Sequence, residues 1–223
     1  KTGGCVAAAI ADDGTIKATG SSVSGNWLTC STETGIMTAV TGFPFADVPT
    51  NAWYFGDAYY AYNNALFAGT GANTFSPNVT MTRGMLVTVL WRMEGSPKAA
   101  APTFSDTRGI WCSEAVGWAA ANGIVNGFDN NTFSPNGTVT REQMAAILYR
   151  YAAFKGIDVS AATDLGSFAD FESVSAYART AIAWASAEGI INGSADGRLM
   201  PKAGATRAQV AAILHRYIEN CIF

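Results

Sequence analysis

The chain has 223 residues, of which 49% are hydrophobic and 14% are charged, so it can bury a sizeable core and lacks the composition of a disordered protein. Its net charge of −3 and the absence of a basic stripe argue against nucleic-acid binding. No apolar run reaches the roughly 20 residues needed to span a bilayer, so membrane insertion is not expected. Position 1 is Lys, which we interpret as the start of a processed or excised piece that has lost any signal peptide.

The first 42 residues differ from the rest of the chain. Short β-prone runs occupy 6–10, 15–19 and 36–40, and the Asp-Asp-Gly at 12–14 is a hairpin signal between the first two. We expect residues 1–42 to form a small β element or the end of a preceding domain.

The four cysteines are Cys5, Cys30, Cys112 and Cys221. They form no Cys-x-x-Cys pair and have no His at metal-ligand spacing, so neither a metal site nor a cofactor is expected. Cys5 and Cys30 share a segment rich in Gly, Ser and Thr and form a disulfide if the compartment is oxidising. The alternative is four unpaired thiols.

An internal repeat dominates the remainder of the chain. Each of three units opens with Phe-x-Asp, at Asp47, Asp106 and Asp170, and an aromatic residue follows in a common register, at Trp53, Trp111 and Tyr177. A Gly lies 16 positions after this aromatic residue in every unit, at Gly69, Gly127 and Gly193. An Arg preceded by Thr lies 30 positions after it, at Arg83, Arg141 and Arg207. These ungapped copies predict tandem units at 43–97, 102–155 and 166–220.

Each unit has the pattern helix, loop, helix. In the second unit the stretch 114–124 has a broad apolar stripe, and Asn122-Gly123 ends it because Gly accepts the left-handed cap conformation. After a loop rich in Asn, Asp and Gly, the second helix begins at Thr140, with Gln143 placed for a capping box. A unit of about 50 residues is marginal alone, so we expect one compact assembly with the second helices buried against each other.

These features resemble S-layer homology domains. The shared elements are the Phe-x-Asp opening, the aromatic residue, a first helix ending in Gly-Ile-Val-Asn-Gly or Gly-Ile-Ile-Asn-Gly, and the Thr-Arg start of the second helix. The resemblance covers about residues 43–220 and implies a mainly α fold, with three helix-loop-helix repeats in a pseudo-threefold bundle with projecting arms. It further implies that grooves between the arms bind secondary cell-wall polysaccharide, often carrying a pyruvate ketal.

The resemblance also implies which residues line each groove. In the family, the motif Arg and the loop Gly of one unit combine with the Asp and the aromatic residue of a neighbour. The polysaccharide-binding residues implied here are Arg83, Arg141, Arg207, Gly69, Gly127, Gly193, Asp47, Asp106, Asp170, Trp53, Trp111 and Tyr177.

The chemistry of these residue types suits an acidic sugar. An Arg in the first turn of a helix lies where backbone N–H groups and the helix dipole favour an anion, and its planar fork binds a carboxylate bidentately. An aromatic face accepts a sugar ring, and Gly lets a ligand approach the backbone. The structural alternatives are that the Arg pairs with a neighbouring Asp and ties units together, that Trp53 and Trp111 pack in the core, and that the Asp residues cap helices. Trp118 and Trp184 are expected in the core.

The first unit departs most from the pattern. Its loop lacks Asp-Gly, and its second helix carries Gly84-Met85, which weakens the first turn and removes the capping-box partner. We therefore expect Arg83 to be held loosely and its groove to bind ligand most weakly.

The sequence thus predicts a non-enzymatic, extracellular module that anchors a secreted bacterial surface protein non-covalently to the cell wall, with cell-wall polysaccharide as partner. Catalytic motifs such as Gly-x-Ser-x-Gly or His-Glu-x-x-His are absent, and the lone His215 is expected near the end of the last helix as a surface residue facing the dipole. One alternative is an adhesin or surface-lattice module that binds protein, including other surface-layer proteins. The other is a cell-wall hydrolase using loop acids such as Asp129 and Asp196.

Overall fold

The computed structural model describes residues 43–100, 102–194 and 196–222, together with the backbone of four short strands earlier in the chain. β1 (Ala8–Ile10) pairs antiparallel with β2 (Ile16–Ala18), and β3 (Leu28–Cys30) with β4 (Met37–Ala39). Three strands fall within the predicted β-prone runs, whereas β3 was not predicted. The Cys5–Cys30 disulfide lies outside the described residues and stays a prediction.

Six α-helices carry the three repeats in the described residues. They are α1 Phe55–Asn63, α2 Arg83–Met93, α3 Ser113–Ala121, α4 Arg141–Phe154, α5 Arg179–Ala187 and α6 Arg207–Cys221. Three single-turn 3-10 helices precede α5, at Leu165–Ser167, Phe171–Ser173 and Ala176–Ala178. The mainly α, helix-loop-helix architecture is therefore confirmed. None of the helices described is both long and apolar enough to cross a membrane.

The second helix of each repeat starts at a Thr cap. In the pairs Thr140/Gln143 and Thr206/Gln209 the Thr hydroxyl accepts the Gln backbone N–H, and the Gln side chain accepts the Thr backbone N–H. The capping box predicted at Thr140, and its counterpart in the third unit, are thus confirmed. Thr82 accepts from its N3 residue in the same way, but Met offers no oxygen to return the bond.

The first helices end in a left-handed residue. Gly123 and Gly189 have φ of 68° and 66°, as the Gly signal predicts, whereas Ala65 takes φ of 54° at the corresponding position of the first repeat. Ala65 of the first repeat therefore adopts a left-handed backbone conformation that is unfavourable for a residue with a Cβ atom.

The helices pack between repeats and close a ring. The first helix of one repeat lies on the second helix of the repeat before it: α3 on α2, α5 on α4, and α1 on α6. The last pair joins the first repeat to the third, which gives the assembly its pseudo-threefold symmetry.

The second helices meet at one end of the bundle. The buried Tyr151 of α4 lies against Tyr217 of α6, with ring centroids 5.8 Å apart, and donates a 2.5 Å hydrogen bond to Glu94 after α2. Trp118 and Trp184 are 5% and 0% exposed, which confirms their place in the core.

Candidate functional site

The three motif arginines are buried and bind the backbone of the next repeat. Arg83, Arg141 and Arg207 are only 7%, 8% and 6% exposed. In each of them, Nε donates a hydrogen bond to one backbone carbonyl and Nη2 donates to a second. The acceptors, in that order, are Phe133 (2.8 Å) and Asn126 (3.3 Å) for Arg83, Leu199 (2.7 Å) and Asn192 (3.1 Å) for Arg141, and Phe75 (2.7 Å) and Ala68 (2.8 Å) for Arg207. Arg83 is held in the same way as the other two, so the expectation of a loosely held Arg83 is wrong.

The helix N-termini beside these arginines are already occupied by protein atoms. The backbone N–H of Arg83 donates to the carbonyl oxygen of Gly137, and that of Gly84 donates to the carbonyl oxygen of Pro135, both at 2.9 Å. The next backbone N–H, that of Met85, donates to the Thr82 hydroxyl. Equivalent bonds run from Arg141 to Ala203, Glu142 to Pro201, Arg207 to Val79 and Ala208 to Pro77. The expectation that these termini offer N–H groups to an anion is therefore wrong, because carbonyls of the neighbouring repeat fill that role.

The aspartates of the Phe-x-Asp openings bind a loop within their own repeat. Asp47 accepts the backbone N–H groups of Phe75 and Ser76, both at 2.7 Å. Asp106 accepts from Phe133 (2.8 Å) and Ser134 (2.7 Å), and Asp170 from Leu199 (2.8 Å) and Met200 (2.9 Å). These carboxylates thus cap no α-helix. Each instead fixes a loop whose second residue has φ between 50° and 58°.

The loop glycines lie where the opening Phe ring packs. A Cβ on Gly69 would lie 2.5 Å from the ring of Phe45, and one on Gly193 would lie 2.7 Å from the ring of Phe168. At Gly127 the collision would be with Phe104. Close packing within the repeat therefore requires Gly here, in addition to any need for ligand access.

Three equivalent grooves lie between the repeats, and each draws on all three of them. The Arg207 groove contains Arg207, Gly69 and Trp111; the Arg83 groove contains Arg83, Gly127 and Tyr177; the Arg141 groove contains Arg141, Gly193 and Trp53. The family pattern placed the motif Arg and the loop Gly in one unit, but here the Gly belongs to the following repeat. None of the three opening aspartates lines these grooves in the described structure.

The groove aromatics face solvent. Trp53, Trp111 and Tyr177 are 64%, 60% and 54% exposed, which argues against the alternative of core packing for the two Trp residues. A large exposed aromatic beside a groove offers a flat apolar face with a polar edge.

A second arginine lines each groove, and sequence reasoning missed it. Arg92, Arg150 and Arg216 lie in the Arg207, Arg83 and Arg141 grooves respectively. Each follows the motif Arg of its own repeat by nine positions, as 92 follows 83, so a search for further fixed offsets finds it.

Two arginines converge in each groove. Burial is the largest cause that lowers the pKa of Arg83, Arg141 and Arg207, and repulsion from Arg150 and Arg216 acts in the same direction on the first two. Within the described residues no acidic side chain forms an ion pair with these three arginines. An anion in the groove would therefore meet guanidinium groups that lack a contacting counter-charge.

His215 lies on the seam between α6 and α1. Its Nδ1 is 2.8 Å from Asp57 of α1, its Nε2 is 3.2 Å from Glu219, and its ring stacks on Tyr60 with centroids 3.8 Å apart. The hydrogen bond to Asp57 raises the pKa of His215 against the opposing effect of burial. His215 therefore joins the first and last repeats, and is not the dipole-facing surface residue that was expected.

The loop acids considered for hydrolysis are placed differently. Asp129 lines the Arg83 groove, whereas Asp196 is bound by Ser194 Oγ at 2.5 Å and lies 3.6 Å from Arg198. No group of three or more His, Cys, Asp or Glu residues that could hold a metal ion occurs among the described residues.

Helix-loop-helix repeats closed into a ring, with equivalent grooves between them, define a three-repeat binding module. The sequence model of the S-layer homology domain matches the chain at residues 44–84, 103–145 and 167–211. These segments make up more than half of the chain, which therefore belongs to the S-layer homology domain family.

Relatives of the chain include enzymes and surface-layer proteins. An endoglucanase of Bacillus sp. (strain KSM-635) is 32% identical over 172 residues, and an amylopullulanase of Thermoanaerobacterium thermosulfurigenes is 34% identical over 152. The surface-layer 125 kDa protein of Lysinibacillus sphaericus is 30% identical over 156 residues. These matches cover 77%, 66% and 68% of this chain, but the chain spans only 18%, 8% and 13% of those proteins. Domains of this family anchor surface proteins to the cell wall, which places the chain at the cell surface.

Proposed function

We propose that the grooves bind secondary cell-wall polysaccharide that carries an acidic unit such as a pyruvate ketal, and so attach a larger surface protein non-covalently to the envelope. The observation that supports this is the composition of each groove. A buried arginine without an ion-pair partner, a second arginine and an exposed aromatic residue converge from three different repeats.

The arginines suit a carboxylate. A guanidinium has five N–H donors, and backbone carbonyls take two of them at each motif Arg, one through Nε and one through Nη2. The remaining donors and those of the second arginine provide charge-assisted hydrogen bonds, each worth about 1.5–3 kcal/mol. The aromatic side chain then packs on the apolar face of the sugar ring.

We further propose 43–97, 102–155 and 166–220 as the repeat boundaries. Because a groove takes its motif Arg, its loop and its aromatic residue from three repeats, a single repeat would contain no complete site.

Binding to purified wall fragments, with and without chemical removal of pyruvate, tests the proposal. Arg92→Gln and Trp111→Ala both alter the Arg207 groove at exposed positions, and Arg108→Gln is the matched control because Arg108 is exposed and outside the grooves. We expect the two groove variants to lose about 1.5 kcal/mol, roughly tenfold in affinity, and the control to bind normally.

The principal alternative is that the grooves bind a protein partner of the surface layer. In that case removal of pyruvate from the wall fragments would leave binding unchanged, and Arg92→Gln would instead weaken association with purified surface-layer protein. Equal binding of all variants to native wall would contradict the polysaccharide assignment, and equal binding of all variants to purified surface-layer protein would contradict the alternative.

A further inference from the structure

The three grooves differ in the charge of the side chains that line them. The Arg207 groove is lined by Arg207 and Arg92, and the Arg141 groove by Arg141 and Arg216, with no acidic side chain in either lining. The Arg83 groove also has two arginines but adds two acids, Asp129 and Glu142. Two grooves are thus lined by two positive charges and no negative one, whereas in the third two acids oppose the two arginines, and Lys202, 2.7 Å from Glu142, offsets part of the charge of that acid.

Glu142 is fixed in place by the third repeat. It is 4% exposed and accepts hydrogen bonds from the Ser175 backbone N–H and hydroxyl (both 3.0 Å), the Tyr177 hydroxyl (3.1 Å) and Lys202 Nζ (2.7 Å). Burial acts to raise the pKa of Glu142, but the bonds from Lys202 and Ser175 outweigh it and hold the pKa below its ordinary value. The side chain is therefore ionised at neutral pH, and the corresponding positions hold Gly84 and Ala208.

Glu142 lines the groove and contacts its aromatic residue, while Lys202 offsets part of its charge. Burial is the largest cause that raises the pKa of Tyr177 to about 12, and Glu142 adds to the rise more strongly than Arg83 and Arg150 oppose it. The Tyr177 hydroxyl is the group that senses Glu142 directly, because it donates a 3.1 Å hydrogen bond to that carboxylate.

Resting on the function proposed above, we infer that the Arg83 groove takes an uncharged saccharide unit while the Arg207 and Arg141 grooves take the acidic one, and that Asp129 and Glu142 set this difference. A carboxylate entering the Arg83 groove meets two like charges as well as two arginines, which reduces the gain that the other grooves provide. Hydroxyl and amide oxygens of a neutral sugar accept from Arg83 and Arg150 without that repulsion.

The size of the cavity does not explain why the Arg83 groove would disfavour the acidic unit. The cavity of the Arg83 groove measures about 520 Å³, against about 420 Å³ for the Arg207 groove and 200 Å³ for the Arg141 groove. Weaker binding in the Arg83 groove therefore stays a prediction, now for the acidic unit alone and because of Asp129 and Glu142, since Arg83 itself is not loosely held.

The test follows each groove separately in the whole chain. Backbone amide resonances of Gly69, Gly127 and Gly193 report the Arg207, Arg83 and Arg141 grooves in an NMR titration. The probes are methyl glucopyranoside with a 4,6-linked pyruvate ketal and the methyl ester of the same ketal, which has nearly the same shape but no charge. In the Arg207 and Arg141 grooves, we expect the acid to bind about tenfold more tightly than the ester. In the Arg83 groove, we expect the affinities of the two probes to differ by less than about twofold.

Charge removal supplies the second arm. Asp129→Asn should raise the acid-over-ester preference of the Arg83 groove severalfold, and Asp129→Asn with Glu142→Gln should raise it further. Asp196→Asn is the matched control, since Asp196 lies in the equivalent loop of the third repeat and is bound by Ser194 and Arg198. If the double variant does not fold, the single Asp129→Asn variant decides.

A preference for the acid that is equal in all three grooves would overturn this inference and leave the proposed function standing. So would a preference in the Arg83 groove that Asp129→Asn leaves unchanged. A response to neither probe in any groove would instead count against saccharide binding itself.

Discussion

Arg207 and Phe75 are 132 residues apart in the chain and are joined by a 2.7 Å hydrogen bond from Nε to the carbonyl oxygen. The N–H of the same Phe75 is bound by Asp47, so one loop residue links the carboxylate of its own repeat to the guanidinium of another. The electrostatic effect of Asp47 on the pKa of Arg207 is upward, against the larger effect of burial. The arginine and the aspartate therefore do tie repeats together, but through the backbone of Phe75 and without a direct ion pair.

Replacement of a motif arginine should destabilise the fold. Arg207→Ala leaves the carbonyls of Phe75 and Ala68 without their donors, and hydrogen bonds from charged groups are worth about 1.5–3 kcal/mol each. We expect a loss of about 3 kcal/mol in the free energy of unfolding, measured by urea denaturation, with the exposed Arg108→Ala as control. A denaturation midpoint unchanged by Arg207→Ala would show that the tie is not needed for stability. Loss of wall binding in such variants has to be separated from loss of folding.

The three repeats should unfold as one block. The partner of α1 is α6 and that of α2 is α3, so residues 43–100 expressed alone contain neither helix pair. We expect this fragment to show no cooperative thermal transition, whereas residues 43–222 show one. A fragment as stable as the whole would contradict the ring.

Ala65 is expected to be a weak point of the first repeat. Its φ of 54° is one that Gly adopts without strain, so Ala65→Gly should raise the free energy of unfolding by about 1 kcal/mol. Gly123→Ala is the matched reverse change, because no other atom lies within 4 Å of a Cβ built there and the cost would come from the backbone alone. Thermal denaturation measures both, and the prediction fails if the two shifts have the same sign.

Gly204 packs against methyl groups of the other two repeats. A Cβ at this position would lie 2.5 Å from Thr138 Cγ2 and 3.4 Å from Thr80 Cγ2. Gly204→Ala should therefore destabilise the protein by about 1–2 kcal/mol, and adding Thr138→Ser, which deletes the closer methyl, should restore much of the loss. A double-mutant cycle in urea checks the coupling, and strictly additive effects would refute it.

The seam between α1 and α6 should depend on pH. Because the folded-state pKa of His215 lies above 6.5, its contribution is fully present below about pH 6.5 and is lost as pH rises through the folded pKa. The groups facing the ring are Asp57 and Tyr60 on α1 and Glu219 on its own helix. We expect the unfolding free energy of the wild type to fall over this range relative to that of His215→Gln. Parallel pH profiles would exclude the effect.

The starts of the second helices and the end of the first helix in the second repeat could be predicted because they depend on local sequence. Thr140 and Gln143 form their capping box within one turn, and Gly123 ends its helix through its own φ. The packing partner of each helix could not be predicted, since the same apolar face would fit the helix of its own repeat or of a neighbour. The resemblance to the family placed the motif Arg and the loop Gly of a groove in one unit, and the residues alone could not correct this, although the groove joins Arg207 to Gly69 of another repeat.

The sequence around each helix also could not predict whether the N–H groups at the helix N-terminus are already hydrogen-bonded. The N–H groups of Arg83 and Gly84 are free in any isolated helix, and only the ring brings the carbonyls of Gly137 and Pro135 to them. Arg150 and its equivalents, in contrast, were detectable, because they recur at a fixed offset on the polar side of the second helices.

The contact of α1 with α6 limits how such a module can change in size. In an open array a copy can be gained or lost at either end, and the remaining copies keep their neighbours. Here a chain of two or four repeats could close its ring only by changing the angle between neighbouring repeats. Without closure, the first helix of the first repeat and the second helix of the last repeat would have no packing partner. A parent protein that needs a firmer hold on the wall would therefore have to duplicate all three copies together.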